Sequence, residues 1–185
     1  MNRITLTKIH MMLAAFMFPV ALMFLVTGAL YTWGISGTHE SVDYPVSLAT
    51  PLTEDKAALT KLVQAELTQR GIGEPTGKPR IRSMGETYQL EWTGSKRDVL
   101  LEPTADPLKA KLTVKDATWY RNLVQLHKAK GGAVFKAYAA AFAVALFLML
   151  ATGFMMAWSI PTFRRMANVS AVAGVVVFVA AMAAS

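Results

Sequence analysis

The sequence predicts an integral membrane protein of α-helical class, with three transmembrane helices and one small α+β domain, a helix packed on antiparallel strands, carried outside the bilayer. Three observations carry that expectation. The 185 residues are 54% hydrophobic and only 17% charged, where a soluble domain approaches a quarter charged. The apolar residues gather in three long runs. Between the first two runs lie about one hundred residues rich in charge and turn formers, long enough for one small domain.

Residues 1–8 are polar and carry Arg3 and Lys8. Residues 9–33 form the first span, since roughly two dozen residues at ~1.5 Å each cross a ~30 Å hydrocarbon core. The run is too long for the apolar region of a signal peptide and ends at Tyr31 and Trp33 instead of a small-x-small cleavage site. Pro19 falls mid-helix, where it removes a backbone hydrogen bond and predicts a kink. Tyr31 and Trp33 read as interfacial anchors, and Trp119 and Trp158 do the same for later segments. Arg3 and Lys8 precede the first span, whereas Glu40 and Asp43 follow it and the next cation is Lys56, which places the N-terminus in the cytoplasm.

Residues 34–132 form the outer domain. Gly34 to Thr50 reads as an extended linker. Thr53 is positioned to cap a helix whose first turn holds Glu54 and Asp55 and whose Leu59, Leu62, Val63 and Leu67 recur at helical spacing until Gly71. Four strands follow: Arg80 to Met84, Thr87 to Thr93, Arg97 to Glu102, and Lys109 to Lys115, separated by Gly85-Glu86, Thr93-Gly94-Ser95 and Pro103 to Pro107. Tyr88, Leu90 and Trp92 alternate with Gln89 and Glu91, and Ala110, Leu112 and Val114 alternate with lysines, so one sheet face is apolar and the helix covers it. Thr118 to Lys130 is a short amphipathic segment for the membrane surface, broken at Gly131-Gly132. The second span is 133–158, a cytoplasmic loop with Arg164 and Arg165 covers 159–166, and 167–185 is a third span of small residues, near the short limit for crossing.

Two motifs occur twice. Leu6-Thr7-Lys8-Ile9-His10 is echoed by Leu123-Val124-Gln125-Leu126-His127, and Leu25-Val26-Thr27-Gly28 with Trp33 by Leu150-Ala151-Thr152-Gly153 with Trp158. Spans running in opposite directions would relate the copies by an inverted pseudo-twofold axis, with His10 near Trp158 and His127 near Trp33. The histidine-to-glycine spacing differs, 18 residues against 26. Thr27-Gly28 and Thr152-Gly153 are expected to serve helix packing, glycine for close approach and threonine for a hydrogen bond.

Several chemistries are excluded. There is no cysteine, hence no disulfide, thiolate metal site or iron–sulfur cluster. The net charge of +7 is spread over insert and flanks without a nucleic-acid motif, and no nucleic-acid partner is expected. His39-Glu40 is not part of an H-E-x-x-H, Gly71-Ile72-Gly73 with Gly77 is turn chemistry around Pro75, and no G-x-S-x-G is present. No catalytic residue and no metal site stands out, and the eleven methionines lie mostly in apolar runs, where packing explains them.

Ile9-His10 opening a helix that ends Leu25-Val26-Thr27-Gly28, then a helix and strands, then Leu126-His127-Lys128 with Gly131-Gly132, then Leu150-Ala151-Thr152-Gly153 running to Trp158, resembles the PepSY-associated transmembrane proteins of bacterial inner membranes. The resemblance covers most of the chain. The insert is similar to a PepSY domain, with Tyr88 to Trp92 and Val99 to Glu102 as its paired strands. This implies a multi-pass inner-membrane protein whose PepSY-like domain is periplasmic and serves a non-catalytic accessory or regulatory role toward a periplasmic protein or peptidase partner, strand addition being one binding mode. Larger relatives are haem-containing reductases of iron–siderophore complexes, so the resemblance also implies an alternative: a haem b electron-transfer component with His10 and His127 as leading ligands. His39 and His127 are the intrachain pair on the outer side, and a homodimer pairs His10 with its copy.

Overall fold

The computed structural model describes residues 3–85 and 87–185. Glu86, half of an expected turn, lies outside the described residues, as do Met1 and Asn2. Three helices are long and apolar enough to cross a membrane: α1 (Arg3–Thr32), α4 (Gly132–Trp158) and α5 (Pro161–Ala183). Pro19 lies inside α1. The third helix starts well before the expected residue 167, because Pro161 at its first turn supplies a preset φ and gives up an N–H that has no helical partner there. Only Ser159 and Ile160 separate α4 from α5.

Between α1 and α4 lie β1 (His39–Ser47), α2 (Lys56–Gln69), β2 (Pro79–Met84), β3 (Thr87–Thr93), β4 (Arg97–Pro103), β5 (Lys109–Ala117) and α3 (Trp119–His127). The strands form one antiparallel sheet in the order β1-β5-β4-β3-β2. The expected linker is therefore partly a fifth strand. Val42, Tyr44 and Val46 of β1 pair with Val114, Leu112 and Ala110, on the face that holds the core. Its acidic residues and Pro45 hide the alternation, and an edge position tolerates a residue without an N–H. Asp55, not Thr53, caps α2, its carboxylate accepting from the Ala57 N–H at 2.8 Å.

The chain divides into two compact units. One comprises Leu22–Ala139 and holds the sheet. There α2 lays Leu59, Val63 and Leu67 on the apolar sheet face against Leu90, Trp92, Val99, Leu101 and Leu112. Each such side chain withdrawn from water contributes about 2 kcal/mol before conformational entropy is charged against it. The opposite face is polar, with ion pairs Arg80–Glu91 at 3.4 Å and Lys111–Glu102 at 3.0 Å and a hydrogen bond from Thr113 to Asp43 at 2.6 Å. Arg97 braces β4 to β5 by a bidentate contact with Asp116, at 2.6 and 2.9 Å. The other unit comprises Met1–Ala21 with Ala140–Ser185, and its buried apolar residues, Leu6, Met17, Val20, Phe142 and Ala145, come from α1 and α4. No described residue of α5 is buried within the chain.

Candidate functional site: reciprocal histidine–threonine pairs

In each duplicated set the histidine of one copy meets the threonine of the other. His10, on α1, has Nδ1 2.9 Å from Oγ1 of Thr152 on α4. His127, the last residue of α3, has Nδ1 2.8 Å from Oγ1 of Thr27 on α1. The first pair belongs to one compact unit and the second to the other.

The threonines orient both rings. Within a helix a threonine hydroxyl returns its proton to a carbonyl one turn back. Thr152 donates to the Leu148 carbonyl at 2.7 Å and Thr27 to the Met23 carbonyl at 2.6 Å. With that proton committed, each Oγ1 can only accept, so each imidazole donates from Nδ1–H. Each imidazole is thus held at Nδ1, and its Nε2 lies outside the threonine hydrogen bond.

The following glycine makes room for the ring. A Cβ on Gly28 would lie 3.2 Å from His127 Cε1, and one on Gly153 would lie 3.5 Å from His10 Cε1. At both sites the neighbour that glycine admits is thus an imidazole. Phe24 adds a tilted ring contact to His127, with centroids 4.8 Å apart. A cavity of about 400 Å³ lies beside His127, lined by Thr27, Gly28, Tyr31, Thr32, Val124 and Lys128.

The four aromatic residues expected as anchors are all exposed: Tyr31, Trp33, Trp119 and Trp158. Lys128 places its ammonium 5.3 Å from the Tyr31 ring centroid. Trp119 meets Tyr120 edge-on and Trp158 packs against Phe154.

His39 stands elsewhere, on β1. Its Nε2 lies 3.7 Å from Asp98 Oδ2 and has no hydrogen-bond partner. Burial, then the nearby Arg121 guanidinium, push its pKa below the ordinary 6.5, against the opposing pull of Asp98. Asp98 also receives the Gly94 N–H at 3.0 Å and faces Lys130 at 3.9 Å.

These positions bear on whether a haem fits. A bis-histidine haem needs two imidazole nitrogens on one iron. One unit holds His10 as its sole histidine, and in the other His39 is engaged with Asp98 on the sheet while His127 is held by Thr27 on α1. The residues of a single unit therefore do not make a bis-histidine site. Among the described residues no group of three or more His, Asp or Glu side chains is arranged to hold a metal ion.

Sequence reasoning singled out each histidine and each Thr-Gly but did not join them. The available signal was the duplication itself, since a motif pair repeated with inverted direction brings the start of one copy to the end of the other. The family model described as "PepSY-associated TM region" matches residues 1–159. No curated protein and no solved structure matches the chain.

Proposed function

The chain belongs to the PepSY-associated TM region family, and from that premise we propose that it is an accessory or regulatory protein of the bacterial inner membrane, presenting its α+β domain to a periplasmic protein partner. The observation that carries this reading is the sheet order, which leaves β1 and β2 as the two edges. Strand β2 is short and bears Arg80 and Arg82 on the polar face, across from Glu91 and Gln89 of β3. Arginines on an edge discourage pairing with a second sheet of the same kind and favour an acidic extended segment. The membrane helices tether this edge, and the N-terminus is cytoplasmic.

Photo-crosslinking in intact cells tests the reading. A crosslinker at Arg82 on β2 should give a discrete protein adduct that a crosslinker at Lys61 on the exposed side of α2 does not. Absence of any adduct from both Arg82 and Ser41 on the β1 edge, at normal protein level, would sink it.

The threonine contact at Nδ1 of His10 and of His127 favours a second reading, electron transfer through haem b, in which His10 or His127 would hold the group through Nε2 together with a second copy of the chain. Bound haem would supply one-electron chemistry. The chain's own contribution would be to orient the imidazole through Thr152 or Thr27. The oxidised and dithionite-reduced visible spectra of the purified protein decide it. Sharp reduced bands lost in His10→Ala or His127→Ala support this reading, and a featureless spectrum at full yield removes it.

A further inference from the structure

A second cavity, of about 510 Å³, lies at the first turn of α4, apart from the histidine pairs. Lys78, Arg80, Lys130 and Lys136 line it, and no carboxylate does. Their compensation is partial. Arg80 is 3.4 Å from Glu91 and Lys130 is 3.9 Å from Asp98, whereas Lys78 and Lys136 have no ion-pair partner among the described residues. Four cations lining one cavity, two of them without a carboxylate, leave an excess of positive charge that favours an anion there.

The walls are tied together. Thr76 Oγ1 donates to the Lys130 carbonyl at 2.9 Å and accepts from the Ser95 N–H at 3.3 Å. Gly132 has φ of +77°, and a Cβ there would come 3.3 Å from the Thr76 carbonyl oxygen. The linker between α3 and α4 is therefore held against the loop that leads into β2.

The helix that begins at this cavity is also what fixes its depth. Gly132 opens a 27-residue apolar helix of spanning length, and a helix crossing the bilayer from that residue would set the cavity level with lipid headgroups. Lys136, one turn into the helix, can keep its alkyl stem in the apolar layer while its ammonium reaches the interface.

We propose that this cavity binds the phosphate-bearing headgroup of an anionic phospholipid. A zwitterionic headgroup brings its own cation into the cluster, whereas an anionic one brings net negative charge. Each basic residue near a membrane surface changes affinity for an anionic lipid by about five-fold. The preference for anionic over zwitterionic lipid therefore rests mainly on Lys78 and Lys136, the two cations without a carboxylate.

The test uses the full chain purified in detergent and offered equal amounts of phosphatidylglycerol and phosphatidylcholine, with retained lipid counted by native mass spectrometry. Retention of one phosphatidylglycerol in preference to phosphatidylcholine is expected. The double variant Lys78→Gln with Lys136→Gln should lose roughly thirty-fold of that preference. Lys78→Arg with Lys136→Arg should keep it, which separates loss of charge from loss of fold, and Lys61→Gln on α2 should leave it unchanged. Equal retention of both lipids by the native protein would overturn the proposal, as would a preference that survives the double glutamine variant. Inorganic phosphate distinguishes the source of the anion. A rise in thermal midpoint with phosphatidylglycerol but not with phosphate supports the headgroup, and a rise with phosphate but not with phosphatidylglycerol overturns it.

Discussion

A threonine hydroxyl has one proton, and in both membrane pairs it goes to the helix's own carbonyl four residues back. Thr27→Val keeps the shape and removes the acceptor, leaving the His127 Nδ1–H without its partner at a site where Thr27 is 1% exposed. A loss of about 1–3 kcal/mol is expected in detergent unfolding, largely restored in Thr27→Ser. The glycines give a sharper ranking. Alanine at Gly153 meets the His10 ring at ordinary contact distance, 3.5 Å, and gains about 1 kcal/mol of helix propensity. Alanine at Gly28 meets the His127 ring at 3.2 Å and forces it to give way. Gly28→Ala should therefore lower the thermal midpoint relative to Gly153→Ala, and equal midpoints would contradict the packing described. His39 governs an acid response of the outer domain. Because burial and Arg121 lower its folded pKa below 6.5, the unfolded chain takes up the proton first as the medium is acidified. Stability is then full above about pH 6.5 and falls as the pH drops below that value towards the folded pKa. His39→Gln should flatten this slope in unfolding experiments between about pH 7 and pH 5.

At the scale of elements, α2 owes its place to three side chains. Leu67 is 0% exposed, and Leu67→Ala should cost about 2–5 kcal/mol with a matching fall in denaturation midpoint. The α3–α4 junction stores a smaller amount. Ala129 follows the Lys128 cap of α3 with φ of 58°, a left-handed conformation that costs an alanine about 1 kcal/mol and a glycine almost nothing. Ala129→Gly should raise the thermal midpoint slightly, and a fall would mean that the junction tolerates no added freedom. The helices and four of the strands were legible because their signals are local. Leu59, Val63 and Leu67 repeat at helical spacing, and Tyr88, Leu90 and Trp92 alternate. Strand β1 was not, since only pairing with β5 makes a strand of a segment that carries Glu40, Asp43 and Pro45. The early start of α5 was missed because Arg164 and Arg165 interrupt the apolar run without interrupting the helix.

For the whole molecule, three spans make a parity argument. If each of the three candidate spans crosses once, the α+β domain and the end of α5 share one side of the membrane, opposite the start of α1. The chain has no cysteine, so one introduced thiol reports alone. An impermeant maleimide added to intact spheroplasts should label Ser83→Cys and Ser185→Cys but not Thr7→Cys, and labelling of Thr7→Cys would reverse the proposed orientation. The three long apolar helices and the helix-on-sheet class were determined by the sequence itself, because run length and periodicity are properties of neighbouring residues. The partners of the histidines were decided only by the tertiary structure. His127 meets a threonine 100 positions away and His10 one 142 positions away. Such a bond leaves no local periodicity, because each end obeys only its own helix and the fold alone brings the two helices together.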